Sequence, residues 1–592
     1  MSGALTTARS SWRDFLNRRE PGARWMLVLL VLLAAVELFM LAGHQVDPPV
    51  PAAPGRFIPL ILTLAAILTS RWWSLPTAPA FPDPRFEVPA AARRWIWLMA
   101  GAVAILAMWP RSARLDHGLS TTELQNLDSA CRFSRAPAPA EVAEWAGPAG
   151  THSLVLDHVA AQFAGNYLHQ NPRLNSTLTP RTARALPWTA GVLSAGLVVL
   201  LAAALGSPRA GLAAGLIMAM HPQQVQISSE VSDASLTQFC FGAVLLCLLN
   251  AMRTNGWRWW VALGAALAAL GFGHPIVIMV VFVLNGVAAV VFWKSQGSKR
   301  DRISHALRLL VVTAIAATTL VIPNCFLPVF TSSPALADQW ANVLSGVPFS
   351  IGADHSASGA SLLAMTNEAA WRWPVMFILL PLVMVGGVWF LLRQGWRTRI
   401  TAVAFLLFGA LGGLGPGLML LPIVFAWAGV GLLRLFPMQP RLQHAPVFIA
   451  VLYVLATTPA LQRTISIPRQ PLREVLAAAS SATKATPAIA TFGSGPTYLL
   501  SRVAGVHDIE KPGELDTLID TAFEKSLPLF VFYSLADGTD ARFEPLAHML
   551  ETSGQFVLTH EFPAFDPRQN IRLYRYQPRE QIIRLNLQPE KK

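Results

Sequence analysis

A polar stretch from Trp109 to Arg184 lies between apolar runs at 95–109 and 187–205. Backbone polar groups cannot stay open to hydrocarbon, so such runs must cross the bilayer as helices and leave this stretch outside it. The apolar pattern recurs at 25–43, 57–70, 95–109, 187–205, 210–220, 234–250, 259–273, 275–293, 306–327, 374–392, 400–411, 416–434 and 445–459. Several runs fall short of a full crossing, so the expectation is a mainly α, polytopic membrane protein with about 11–13 transmembrane helices. Apolar residues make up 53% of the chain and charged ones 13%, a balance that excludes an ordinary soluble domain.

Sidedness follows from the arginines and lysines of the short loops. The N-terminal arm carries Arg9, Arg13, Arg18, Arg19 and Arg24 and is expected in the cytoplasm. If every span is real, the same side receives Arg71, Arg85, Arg93, Arg94, Arg209, Arg253 and Arg258. It also receives Lys294, Lys299, Arg300, Arg302, Arg393, Arg397, Arg399, Arg434 and Arg441. The formal charge of +13 is then a topology signal, and nucleic-acid binding is not needed to explain it. Tryptophan pairs at span ends (Trp72 and Trp73, Trp259 and Trp260) suit interfacial anchoring among membrane lipids. The first apolar run reads as a retained anchor, and Glu37 within it is the acidic residue placed inside a span. Cys240 and Cys247 share a span and read as packing residues; a bridge between Cys131 and Cys325 has no support in their spacing.

Three regions follow. Residues 1–94 form a cytoplasmic arm and an N-terminal transmembrane hairpin. Residues 95–459 form the main membrane domain, with outer loops at 110–186 and 328–373. Residues 460–592 become polar and mixed, and are expected as a soluble α/β domain on the outer face. Within that tail PLREVLAAASSA, GELDTLIDTAFEKS and ARFEPLAHMLETSG have helical spacing, whereas PAIATF, LPLFVFY, QFVLTHEF and NIRLYRY read as strands. GSGPTYLL (493–500) lacks both the glycine fingerprint and the lysine of a phosphate loop and reads as a strand-to-helix turn.

Chemistry-bearing residues cluster in a few segments. LDHGLSTTELQNL (115–127) places Asp116 and Glu123 just after a span. TPRTARALPWTAGVL (179–193) brings Arg184 to the start of the next, where a guanidinium can grip a phosphate or snorkel to headgroups. HPQQVQISSEVSDASL (221–236) holds His221, Glu230 and Asp233, mixed N and O ligands for a divalent cation, although the spacing is no recognised metal pattern. LGFGHPIVIM (270–279) puts His274 at a tight turn between spans, and GLGPGLMLLPIVFAWAGVGLL (412–432) breaks a helix with glycine and proline.

In order and type these segments resemble the GT-C glycosyltransferases. The likeness is narrowest to the bacterial dolichyl-phosphate-mannose-protein mannosyltransferase-like and lipid A aminoarabinose transferase-like proteins, over about 95–435. The resemblance implies transfer of a sugar from a polyprenyl-phosphate donor to a lipid, glycan or protein acceptor at the outer face of the cytoplasmic membrane. It implies an acid at Glu123, with Asp116 as alternative, acting as general base. Arg184, His221, Glu230 and His274 are implied to bind substrate, with a divalent cation as an option for offsetting phosphate charge. The chain also departs from the family. Thr122 stands in the place of an aspartate, Ser232 in that of an arginine, and Gly417 in that of the arginine facing the departing lipid phosphate. Those departures leave a second reading open, a non-catalytic or divergent member that binds a lipid-linked glycan or a partner. A transporter or flippase, a third, would need paired ionisable residues at mid-membrane and internal repeats.

Overall fold

The computed structural model describes residues 90–120, 123, 178–273 (without 233 and 255), 421–435, 444–493 (without 469, 484 and 485) and 506–577 (without 539–541 and 565–568). It also describes scattered positions within 27–35, 63–67, 303–315 and 382–383. Thr122, Cys131, Asp233, His274, Cys325, Gly417 and the loop 328–373 lie outside the described residues, as do Glu37 and 494–500 of the glycine-containing turn.

The membrane part is helical. Helix α1 spans Ala90–Ser112, α2 Leu178–Leu205, α3 Pro208–Met220, α4 Pro222–Ser228, α5 Ala234–Thr254, α6 Trp257–Gly273, α7 Leu421–Leu435 and α8 Ala445–Ser466. Three described helical stretches, Arg94–Ser112, Ala183–Leu205 and Ala234–Ala251, are long and apolar enough to cross a membrane; α3, α6, α7 and α8 contribute shorter apolar stretches. The chain enters α3 through a Ser207 cap that accepts from the Ala210 N–H and a proline in the first turn, two strong start signals. Pro222 restricts His221 to extended backbone (φ −68°, ψ 123°) and separates α3 from α4.

Packing around α3 relies on small residues. A Cβ on Gly211 would lie 2.5 Å from the Val199 carbonyl of α2, and one on Gly429 of α7 would strike the Ala210 carbonyl and come within 2.7 Å of Ala214 Cβ. Helices this close gain from dispersion contact, which lipid cannot replace by a hydrophobic driving force. Ala213, Ala214, Ile217, Met218, Val244, Phe425, Ala426 and Ala428 form the centre of this core, each fully buried. Cys240 sits in the same cluster with Cys247 packed against it, so both serve packing as the sequence suggests.

The tail carries helices α9 (Leu472–Ser481), α10 (Pro512–Glu524) and α11 (Glu544–Thr552). Its strands are β1 (Ala488–Thr491), β2 (Val506–Asp508), β3 (Leu529–Ser534), β4 (Phe556–Phe562) and β5 (Ile571–Tyr576). They form one sheet in the order β2-β1-β3-β5-β4, parallel from β2 to β3 and antiparallel from β3 to β4. Strand β3 is buried throughout because alternation sends its side chains to two cores. Leu529, Val531 and Tyr533 meet Leu515 and Ala522 of α10 and Leu546 and Leu550 of α11. Phe530 and Phe532 meet Leu472, Val475 and Ala479 of α9 on the other face. The short β2 is the strand the sequence pattern misses, having only three residues with His507 exposed among them.

Candidate functional site: a buried arginine–glutamate clamp beneath the first loop

The chain leaves α1 in a run of tight turns, with Arg114, Leu115 and His117 N–H groups donating to the carbonyls of Arg111, Ser112 and Arg114 at 3.2 Å each. This coil leaves several carbonyls pointing inward, and one arginine from the start of α2 collects them. Arg184 Nη1 donates to the carbonyls of His117 (2.8 Å), Leu115 (3.1 Å) and Arg114 (3.4 Å), and Nη2 to that of Gly118 (3.0 Å). Its remaining fork closes on Glu123, Nε to Oε1 at 2.7 Å and Nη2 to Oε2 at 2.8 Å. Glu123 accepts in addition from the backbone N–H groups of Ser120 and Val231, each at 2.9 Å. Both side chains are almost wholly buried, at 3% and 2% exposure.

The clamp therefore joins three segments far apart in sequence: the loop 114–123, the start of α2 and the turn after α4. Glu230 completes it from the last of these. One of its oxygens lies 3.6 Å from Arg114 Nη2 and accepts from Gln226 at 3.0 Å. Asp116 is at the surface, held by both arms of Arg181 (Nη2 to Oδ2 2.6 Å), and its backbone carbonyl accepts from Arg473 of α9 at 3.2 Å. The tail thus touches the first loop directly. A Cβ on Gly118 would lie 2.8 Å from Arg473 Cβ, so this contact admits nothing larger than glycine without a shift.

Charge follows geometry. Burial pushes the Glu123 carboxyl up, but the charge and hydrogen bonds of Arg184, together with the N–H groups of Ser120 and Val231, outweigh it and hold the group below its ordinary value. The Arg181 hydrogen bond, against slight burial, does the same for Asp116. Burial, then the positive charges of Arg114 and Arg184, bring His117 down to about 4, so it is neutral at pH 7.

Of the residues the sequence singles out, Glu123, Arg184 and Glu230 share one polar cluster, and Asp116 lies on the same loop above it. His221 stands apart, at 0% exposure, edge-on to Phe425 with ring centroids 5.2 Å apart. Arg184 differs from the sequence expectation of a phosphate-gripping guanidinium: Nε, Nη1 and Nη2 all donate to Glu123 and to loop carbonyls. Glu123 differs likewise, because both of its oxygens already accept two or more hydrogen bonds and a base needs a free lone pair. Among the described residues, those offered for a divalent cation are engaged with positive charge, and Asp233 lies outside them. Glu230 is matched to Arg114, Glu123 to Arg184, and the positive charge of Arg111 acts on the His221 ring. Among the described residues no three His, Cys, Asp or Glu side chains gather as ligands. Residues the sequence did not mark are Arg111, Arg114, Arg181 and the buried amide pair Gln224–Gln238 (2.5 Å). The available signal was their position, since Arg111, Arg114 and Arg181 flank the same polar stretch as Asp116 and Arg184.

Residues 179–323 match the family model described as dolichyl-phosphate-mannose-protein mannosyltransferase. The resemblance to GT-C glycosyltransferases stands. The matched stretch contains Arg184, His221, Glu230 and His274 and stops short of Glu123. No curated protein sequence matches the chain. Among solved structures it is similar to the apo oligosaccharyltransferase of Archaeoglobus fulgidus, 12% identical over 75% of this chain and 70% of that one, TM-score 0.45. It is also similar to apo ArnT from Cupriavidus metallidurans, 13% identical over 82% and 98%, TM-score 0.38. A third is the arabinofuranosyltransferase AftD from Mycobacteria, 17% identical over 82% and 40%, TM-score 0.41.

Proposed function

We propose that the protein is a membrane glycosyltransferase that takes a sugar from a polyprenyl-phosphate donor and passes it to a lipid, glycan or protein acceptor. The observation that supports this reading best is the convergence of segments 115–123, 181–184 and 228–231, recognised separately in sequence, on one buried ion pair. In this scheme Glu123 and Arg184 are positioning residues that hold the loop rigid. Asp116 is then the carboxylate that reaches substrate, being about half exposed (47%) where Glu123 is sealed. Its depressed basicity suits late proton transfer, after attack on the sugar carbon has made the acceptor hydroxyl acidic. The site is placed on the outer face of the cytoplasmic membrane, with the N-terminus inside, on the strength of the arginine and lysine bias of the loops.

The test is transfer in proteoliposomes from a panel of radiolabelled polyprenyl-phosphate sugars, comparing the natural protein with Asp116→Asn and Asp116→Ala. Turnover by the natural protein that falls at least about 100-fold in both variants is expected for a general base. Equal turnover removes Asp116 from that role. A folded natural protein that turns over no donor in the panel favours the second reading, a non-catalytic member binding a lipid-linked glycan. That alternative draws on one observation: Asp116 and Glu123 are both matched by arginines already.

A further inference from the structure

Four arginines gather where α1 ends and α2 begins, and each carries the same side-on fork, the N–H groups on Nε and Nη2 that fit two oxygens of one anion; Arg114 lies 3.6 Å from Glu230. Glu123 fills the fork of Arg184, and Asp116 that of Arg181. Arg111 differs. Its Nη1 donates to the carbonyls of Ala107 (2.9 Å) and Ala219 (2.8 Å), while Nε and Nη2 meet no acceptor among the described residues. The side chain is 0% exposed, and no described carboxylate pairs with it. A guanidinium keeps its charge inside a protein, and a buried charge calls for a counter-charge.

The surroundings carry the same chemistry. His221, Gln224 and Ser228 stand three and four residues apart on α4 and its cap, so they share one buried face. Among the described residues, both ring nitrogens of His221 lack partners, as does Oε1 of Gln224 and, on α5, Nε2 of Gln238. The Arg111 charge is near enough to act on the His221 ring. A methyl group built on Gly191 of α2 would lie 2.1 Å from Ser228 Cβ and 3.3 Å from Arg111 Nε, so this glycine lets α4 pack closely against α2 and brings Ser228 up beside the fork.

We propose that Arg111, backed by His221 and the polar face of α4, binds the phosphoryl group of a membrane lipid. The identity of that lipid as the polyprenyl carrier rests on the transferase reading; the anion chemistry does not. Depth agrees, because the apolar stretch of α1 ends at Ser112 and Arg111 occupies its last turn, where headgroups begin. The chain has Gly417 where the resemblance implies an arginine for the departing phosphate, and in this proposal Arg111 of α1 provides a guanidinium for that group.

The experiment uses the full-length protein in nanodiscs of uncharged lipid, with undecaprenyl phosphate, phosphatidylglycerol and inorganic phosphate as separate probes. Binding is read by native mass spectrometry and by the shift in thermal unfolding. For undecaprenyl phosphate, Arg111→Met is expected to weaken binding by about 10- to 100-fold. Arg111→Lys, which keeps the charge without the fork, should fall between. His221→Phe, which leaves the arginine in place and removes the polar ring that backs it, gives a second route to the same loss should the buried-charge variants fail to fold. Undecaprenyl phosphate bound equally by the natural protein and all three variants overturns the site and leaves the transferase reading standing. Arg111-dependent binding of phosphatidylglycerol or inorganic phosphate, without a response to undecaprenyl phosphate, keeps the anion site and removes the polyprenyl carrier. A natural protein silent to all three probes overturns the proposal.

Discussion

Arg184 and Glu123 meet twice, Nε to Oε1 at 2.7 Å and Nη2 to Oε2 at 2.8 Å, beneath a loop whose carbonyls take the other N–H groups of the same arginine. The pair ties the turns that follow α1, and Glu123 beyond them, to the start of α2. Loop placement at the site therefore depends on two side chains separated by most of the loop's length.

Breaking that pair leaves a buried charge without compensation. Glu123→Gln and Arg184→Met are each expected to destabilise the protein by about 3–5 kcal/mol, far above the value of an exposed pair. The double variant should lose clearly less than the sum of the two, since each single change already removes the shared interaction. Chemical denaturation in detergent, run as a double-mutant cycle, measures this; additive losses would mean the residues act independently.

His117 gives the fold a pH dependence of known sign. Its folded value of about 4 lies below the ordinary 6.5, so the unfolded chain binds the extra proton first as pH falls. Stability contributed by this neutral imidazole is present in full above about 6.5 and is lost as pH drops toward 4. The carboxylates Glu123 and Asp116 have depressed values, so their contribution persists through that window and fades only below the ordinary carboxylate range. Melting temperature should decline between pH 7 and 5, and His117→Gln should flatten part of that slope. Parallel slopes in the two proteins would assign the effect elsewhere.

Gly429 of α7 faces the backbone of α3 so closely that a side chain there must move a helix. Gly429→Val is expected to cost about 1–3 kcal/mol, the usual range for forcing extra carbon into a packed core. Gly513, whose added Cβ would meet nothing within 4 Å, is the matched control in the first turn of α10. Thermal unfolding of the two variants side by side decides whether close backbone approach holds α3 in place.

Much of the architecture is legible in sequence because it follows from local periodicity. Apolar runs mark α2, α3, α5, α6, α7 and α8, and the continuous apolar run LPLFVFY marks β3 as a strand buried on both faces. Boundaries shift where a helix leaves the apolar run. Helix α2 starts at Leu178, before the apolar stretch, because Arg181 and Arg184 lie on its first turns and face the polar loop. The site is less legible, since its meaning lies in pairing. Arg184 reads equally well as a phosphate holder or a headgroup anchor until Glu123 is seen in its fork, and that partner is 61 residues away. Arg111 gave no motif at all; only the combination of burial and two nitrogens unmatched among the described residues distinguishes it from an interfacial arginine.

Arg181 offers a separate test of the proposed base. Its two-point contact lowers the Asp116 value, so the carboxylate stays ionised to a lower pH than a free side chain would. Replacing it by glutamine removes the hydrogen bond and the charge together, and the Asp116 value should rise toward the ordinary one of about 3.9. If ionised Asp116 accepts the proton from the acceptor, the acid limb of the transfer rate against pH must move upward in Arg181→Gln. The plateau should hold or increase, because a stronger base is then present. Global stability should change little, since an exposed pair contributes at most about 1 kcal/mol. An acid limb unmoved in a variant that still transfers sugar would place the proton acceptor on another residue, whatever the loss of rate in Asp116→Asn.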